Sequence, residues 1–201
     1  MGKAKDKYHH GDLRRRLVEA GIDFLATDAE AEPSLRQLAK SIGVSEAAPY
    51  HHFADRQAFL NALICAGYDR LRSRCLAAEE AGGGLRGLLA AYVGFAVDHR
   101  SLFRLIHRSG AARDPAHAEL HAASQAAFAP LLAQVRRQAA AVGIADPERI
   151  GFLALMVWTQ VHGLAEIVLA DFLRLADGRD AFCERAYAYM ETGLSAALGQ
   201  S

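Results

Sequence analysis

The sequence predicts an all-α protein, and three observations carry that reading. Hydrophobic residues make up 52% of the chain, and much of that share is Ala and Leu, both good helix formers. Windows rich in Val, Ile and Thr, the strand formers, are few. Apolar residues recur at spacings of three and four, and the segments are punctuated by Gly, Pro, Asp and Ser, which stop and start helices. A length of 201 residues allows one or two compact domains with a sizeable core.

In chain order, residues 1–10 read as an arm without helical periodicity. The first helix spans about 12–26, where Leu13, Leu17, Ala20 and Phe24 share a face that Val18, Ile22 and Leu25 widen. The polar stretch 28–33, ending in Pro33, is a loop. Ser34 is placed to cap a short helix through Ile42, with Leu35, Leu38 and Ala39 inward. Gly43 ends it, because a helix end needs a residue at ease in the left-handed region. Ser45 is placed to cap a second short helix to His52 or Phe53, and Asp55 a long one to about Ala78.

Gly82-Gly83-Gly84 is the clearest linker, separating a small head from a larger body. Body helices are expected near 85–99, 101–109, 115–141, 147–175 and 180–198, with Pro130 kinking the third. Asp146 and Pro147 form a helix start, with Asp146 capping and Pro147 in the first position. The stretch 150–170 is apolar enough to raise a membrane span. Gln160, His162 and Glu166 interrupt it, so it is read as a helix buried on nearly all sides, and no membrane partner is expected.

The formal net charge is zero, but its distribution is uneven. Residues 1–16 carry Lys3, Lys5, Lys7, Arg14, Arg15 and Arg16 against Asp6 and Asp12, leaving an acidic balance over the rest. Such an arm seeks phosphate or is a solvated tail. His9 and His10 would extend its contact or share its solvation. Three scattered cysteines make no disulfide framework or zinc pattern, and no apolar leader precedes the first helix. A cytoplasmic, reduced protein without metal or cofactor is the expectation.

The informative segment is SLRQLAKSIGVSEAAPYHHFADRQAFLNAL, residues 34–63. It reads as short helix, tight turn at 42–44, second short helix, cap and long helix, with Ile42 and Val44 filling the crossing. That is a helix-turn-helix: one helix braces and the next enters the major groove. The start of the second helix would direct unpaired N–H groups and a partial positive charge at phosphates.

Residues 9–65 here resemble the TetR family of transcription regulators, through YHHGDLRRRLVEAGIDFL, SLRQLAKSIGVS and EAAPYHHFADRQAFL. The family's Tyr, Phe, small residue and Lys fall on Tyr50, Phe53, Asp55 and Arg56, with Arg in place of Lys keeping the charge. The resemblance implies that Tyr50, Arg56 and Ser34 hold phosphates. Around them Gln37, Ser45, Glu46, Ala47, Ala48, Pro49 and His51 complete the candidate DNA-binding set. Ala48-Pro49 replaces the commoner Thr-Leu, so few side chains remain to read bases, Glu46 and His51 foremost, with thymine methyl contact and DNA shape adding to them. Tyr50 and Phe53 are also readable as core aromatics, which is the reading taken for Phe53; His51 and His52 are equally readable as surface residues.

The body carries Trp158, His162 and Gly163, similar to the Trp-His-Gly signature of one class of TetR-type C-terminal domains. Spacing puts Trp158 and His162 on one helix face, and Gly163 would admit a neighbouring helix. The ring pair lines an effector pocket, with Phe103, His107 and Phe128 as further candidates, or the rings satisfy each other in the core. The resemblance implies 9–56 as DNA-binding domain and 57–201 as effector-binding and dimerisation domain. It also implies a homodimer through helices 147–175 and 180–198, a near-palindromic double-stranded operator, and repression relieved by a small molecule.

Rival readings have thinner support. No GxSxG, P-loop, GxGxxG or HExxH marks an enzyme. His117 and His121 have metal-binding spacing, with Glu119 and His107 nearby in sequence, but read as surface histidines. Cys65 and Cys75 suggest a redox sensor only through Arg72 and Arg74, and read as inert. A constitutive DNA-binding dimer without ligand fits the sequence as well.

Overall fold

The computed structural model describes residues 10–27, 33–108, 117–170 and 178–199, and they are helical with no strand among them. Eight α-helices follow in order among the described residues: α1 (His10–Thr27), α2 (Leu35–Ser41), α3 (Arg56–Glu80), α4 (Gly84–Asp98), α5 (Arg100–Arg108), α6 (Ala118–Ala141), α7 (Pro147–Ala170) and α8 (Gly178–Gly199). The arm residues Lys3, Lys5, Lys7 and His9, the side chain of His10, and the expected helix end at 171–175 lie outside the described residues.

The head is α1, α2, the segment joining α2 to α3, and the first turns of α3. Leu13, Leu17, Val18, Ile22 and Leu25 of α1 are buried, while Ala20 and Phe24 sit half-buried at the edge of that face. Leu35, Leu38 and Ala39 seal α2 from the other side. Phe53 and Phe59 meet edge to face, with centroids 5.1 Å apart, a geometry that aligns the positive ring edge with the negative face. Arg16 on α1 donates to the Ile42 carbonyl at 2.9 Å, tying the turn after α2 to α1. Gly43 takes φ +75°, the left-handed conformation that ends α2.

Of the caps anticipated at Ser34, Asp55 and Asp146, two accept a helix N–H through the side chain and one does not. Asp55 accepts the Ala58 N–H at 2.7 Å, and Asp146 accepts the Glu148 N–H at 3.0 Å ahead of Pro147. Ser34 holds the N-cap position of α2 with extended backbone, but its side chain accepts none of the helix N–H groups. The backbone there is extended, as at a cap, so the departure from expectation lies in the side chain alone.

The larger correction concerns residues 45–52. They form no α-helix: a turn leads into one 3-10 stretch, Ala48–His51, and Ser45 makes no side-chain cap. Pro49 supplies the reason. It has no N–H to offer the Ser45 carbonyl, which instead takes Ala48 N–H at 3.0 Å, three residues on. So short a stretch sums few peptide dipoles, and the anticipated helix-end attraction for phosphate has no helix behind it.

Helix α3 runs from head to body. Its first half buries Phe59, Leu60 and Leu63, and its second half Tyr68, Leu71 and Cys75. Between them Gly67 lets α5 in: a Cβ there would lie 2.7 Å from Ile106 Cδ1 and 3.2 Å from Leu102 Cδ1. Ion pairs link α3 to its neighbours, Arg70 to Glu19 on α1 and Arg74 to Asp98 on α4 at 2.6 Å. The Gly82–Gly84 break, with Gly82 and Gly84 at positive φ, separates α3 from α4. Helix α6 continues through Pro130, which is buried.

Helix α7 is not buried on nearly all sides. Val157, Val161, Ala165 and Leu169 face inward, but Phe152, Leu155, Met156 and Ile167 are 61%, 51%, 41% and 36% exposed. Spacings of three and four set these four on one stripe. Gly163 lies on the same stripe with nothing within 4 Å of where its Cβ would be, so no described helix packs closely against it. On α8 Tyr189 is 75% exposed.

Candidate nucleic-acid interface and interior cavity

The segment between α2 and α3 carries the candidate DNA-contacting residues, and burial divides them. Ser45, Glu46, Ala47, Tyr50, His51, Gln37 and Arg56 are exposed, and Ser34 and Ala48 are half-buried. Pro49 is buried and turns inward, as does Phe53, the core aromatic anticipated from sequence. Tyr50 is the most exposed large apolar side chain of the described head, at 48%. It sits beside Phe53, which is sealed on the core side and has the Arg14 guanidinium 5.5 Å from its ring centroid. The result is a short outward ledge of polar and aromatic groups over a packed base. Arg56, at the start of α3, adds a fixed positive charge beside that ledge.

The body holds a cavity of about 420 Å³, partly open to solvent and bordered by α3, α4, α5, α6 and α7. Of the five pocket residues anticipated from sequence, His107, Phe128 and Trp158 line it. Phe103 and His162 stand behind that wall. Phe103 is fully buried and edge-on to Tyr92, with centroids 5.8 Å apart. His162 stacks flat on Trp158, centroids 5.0 Å apart and planes 5° apart. Its Nδ1 lies 3.0 Å from the Tyr92 hydroxyl, which also lies 3.4 Å from His107 Nε2. The two rings thus stack on each other, and Trp158 faces the hollow.

Tyr92 was not legible as a cavity residue. Its partners are 15 and 70 positions away, and only the packing of α4 against α5 and α7 joins them. Tyr68, Leu71 and Cys75 of α3 were likewise missed as lining. Their spacing along one long helix is a usable signal once that helix is known to border the body.

Burial governs the titratable groups here. It holds the Tyr92 hydroxyl well above the usual tyrosine range, and pushes His162 below the ordinary histidine value against the opposing pull of Glu166. Burial also pushes the Cys75 thiol up to about 11, with Glu79 adding to it and Arg74 opposing. Cys65 is pushed up to about 11 by burial, then by Glu119 and Asp69. Thiols with such values are poor nucleophiles near neutral pH, so the two cysteines do not have the activated character of a redox sensor. His121 Nε2 lies 2.9 Å from Gln125 Nε2, and no group of three metal-ligating side chains occurs among the described residues.

Residues 85–190, from α4 to α8, match the family described as "Tetracyclin repressor-like, C-terminal domain". The nucleoid occlusion factor SlmA of Marinobacter nauticus is 36% identical over 62 residues, a match spanning 31% of this chain and 32% of that protein. A solved structure of a protein of unknown function from Rhodococcus superposes with a TM-score of 0.78 at 33% identity, covering 95% of this chain and 100% of that one. The TetR-like transcriptional regulator LfrR from Mycobacterium smegmatis, solved in complex with proflavine, superposes with a TM-score of 0.58. It is 18% identical and covers 92% of this chain and 95% of its own, a likeness of fold.

Proposed function

The chain belongs to the tetracyclin repressor-like family of transcription regulators, and from that premise we propose that it is a homodimeric repressor whose grip on an operator is released by a small molecule. One observation carries the DNA-binding part. Between α2 and α3, five outward residues, Ser45, Glu46, Ala47, Tyr50 and His51, stand on a base fixed by Pro49 and Phe53, with Arg56 adjacent. Tyr50, Arg56 and Ser34 take backbone phosphates, positioning the ledge. Glu46 and His51 read base edges, helped by Ala47 against thymine methyls. Residues 9–56 form the DNA-binding unit and 57–201 the sensing and pairing unit, in a protein that works in the cytoplasm.

Pairing uses α7 and α8. The stripe of Phe152, Leu155, Met156 and Ile167, continued by Tyr189, is the apolar surface a second copy would cover. Gly163 lies within it over open space, where a partner backbone can approach closely. Two copies related by a two-fold axis then place two ledges about 34–36 Å apart, one turn of DNA. Leu155 both lines the cavity and belongs to the stripe, so a bound molecule and a second copy meet the same side chain. A ligand that favours one arrangement of the pair shifts DNA affinity by its differential affinity for the two arrangements.

The test is selection of bound fragments from a random duplex library by the purified chain at two salt concentrations. An enriched near-palindrome, with affinity falling steeply as salt rises, is the expected outcome. Binding that enriches no sequence would sink the operator reading.

A further inference from the structure

The cavity wall specifies a kind of ligand through the charges it lacks. Five helices contribute to it, and no Asp, Glu, Lys or Arg is among the described lining residues. The charged groups close by are committed elsewhere or face out. Glu79, one turn beyond Cys75, pairs with Arg137; Arg74 pairs with Asp98; Glu166, one turn beyond His162, is exposed. An ion carried into this space would lose its water and meet no opposite charge, which is costly for either sign.

What the wall offers instead is ring surface. Tyr68, Tyr92, Phe128 and Trp158 come from four different helices, so aromatic faces or edges stand on several sides of the space. Rings pack favourably on such surfaces in offset or edge-to-face arrangements. The polar groups are hydrogen-bonding: the Tyr92 hydroxyl between the His107 and His162 imidazoles at the buried side, and Ser124 with the paired Gln125 and His121 toward solvent. Burial disfavours ionisation of Tyr92 and Cys75 and protonation of His162, consistent with a wall without charge. A volume of about 420 Å³ falls at the small-molecule end of ligand cavities.

We propose that the effector class of this cavity is an uncharged, mainly apolar molecule built on one or more flat rings, and that ionic ligands are excluded. This rests on the reading of the cavity as the effector site. The aromatic walls alone would also attract a cation. The absence of a carboxylate to share that charge is what decides for a neutral ligand.

Two probes on one skeleton isolate charge: N-phenyl-1-naphthylamine, which is neutral, and 1-anilinonaphthalene-8-sulfonate, which adds an anion. Fluorescence titration of the full chain is expected to give a dissociation constant at least about tenfold lower for the neutral probe. Ala127→Trp and, separately, Ser124→Phe fill the cavity from α6, and each should abolish neutral-probe binding while the folded helical signal is retained. Equal or tighter sulfonate binding that the filling variants remove would overturn the neutral class and leave the cavity a ligand site. Probe binding indifferent to both folded variants, or no binding by either probe, would overturn the ligand site itself. Release of a selected duplex by the neutral probe tests the effector reading separately. Neutral-probe binding in the cavity without release would remove the effector role while the preference for uncharged rings stands.

Discussion

The head and the body are made of the same helical material and are finished differently. The head closes on itself: Phe53, Phe59, Leu17 and Leu63 are almost fully buried, and among its described large apolar side chains Tyr50 is the most exposed. The body is left unfilled both inside, where the cavity lies, and outside, where α7 shows its apolar stripe. One helix, α3, belongs to both regimes, with Phe59 in solid packing and Leu71 at the edge of a hollow. The contrast teaches that tight packing is kept beneath the surface proposed to read DNA. It is relaxed where the chain has to accept something.

The widest break in that contrast comes from truncating α3 at its two ends. Phe59→Ala should cost about 4 kcal/mol, because its surroundings are close-packed and collapse poorly. Leu71→Ala should cost about 2 kcal/mol, since part of its surroundings is already empty. Urea unfolding of both variants checks this, and equal losses would mean the cavity is no softer than the head. Next is the outer stripe: Phe152→Glu with Met156→Glu should leave a monomer in sedimentation and lower duplex affinity on the order of a hundredfold, the loss of one of two linked sites.

Smaller effects belong to the ledge. Arg56→Ala should weaken duplex binding by about tenfold and reduce the salt slope by about one, with melting unchanged. A sequence-selective loss would instead make Arg56 a base reader. Asp55→Ala, which removes the accepted Ala58 N–H, should cost about 1 kcal/mol in thermal unfolding. The smallest expected effect is none: peroxide should leave duplex affinity unchanged, because the Cys65 and Cys75 thiols are pushed up to about 11. A loss restored by reductant would revive the redox reading.

Much of the fold was legible because local chemistry punctuates it. Gly43, Asp55, Gly82, Asp146 and Pro147 act within a few residues of where they stand, and the helix bounds follow them. The 3-10 stretch was half legible. Pro49 was visible, but its effect depends on which carbonyl loses its partner, a question that helix propensity alone does not ask. The exposed stripe of α7 was blurred because apolar residues cover most of its girth, and sequence does not say which side neighbours of the same chain will take. The polar cluster of Tyr92, His107 and His162 was least legible, since three helices distant in sequence must pack before those atoms meet.

Pro49 has a consequence for how this protein can change over generations. Of the seven residues Ser45–His51, it is the one that is buried, while five of the other six stand in solvent. The fold therefore asks little of those five, and substitutions at Glu46, Ala47 or His51 disturb almost no packing. If these residues read DNA as proposed, recognition can drift from one DNA sequence to another in single steps, without passing through unstable intermediates, for as long as the proline and Phe53 stay in place.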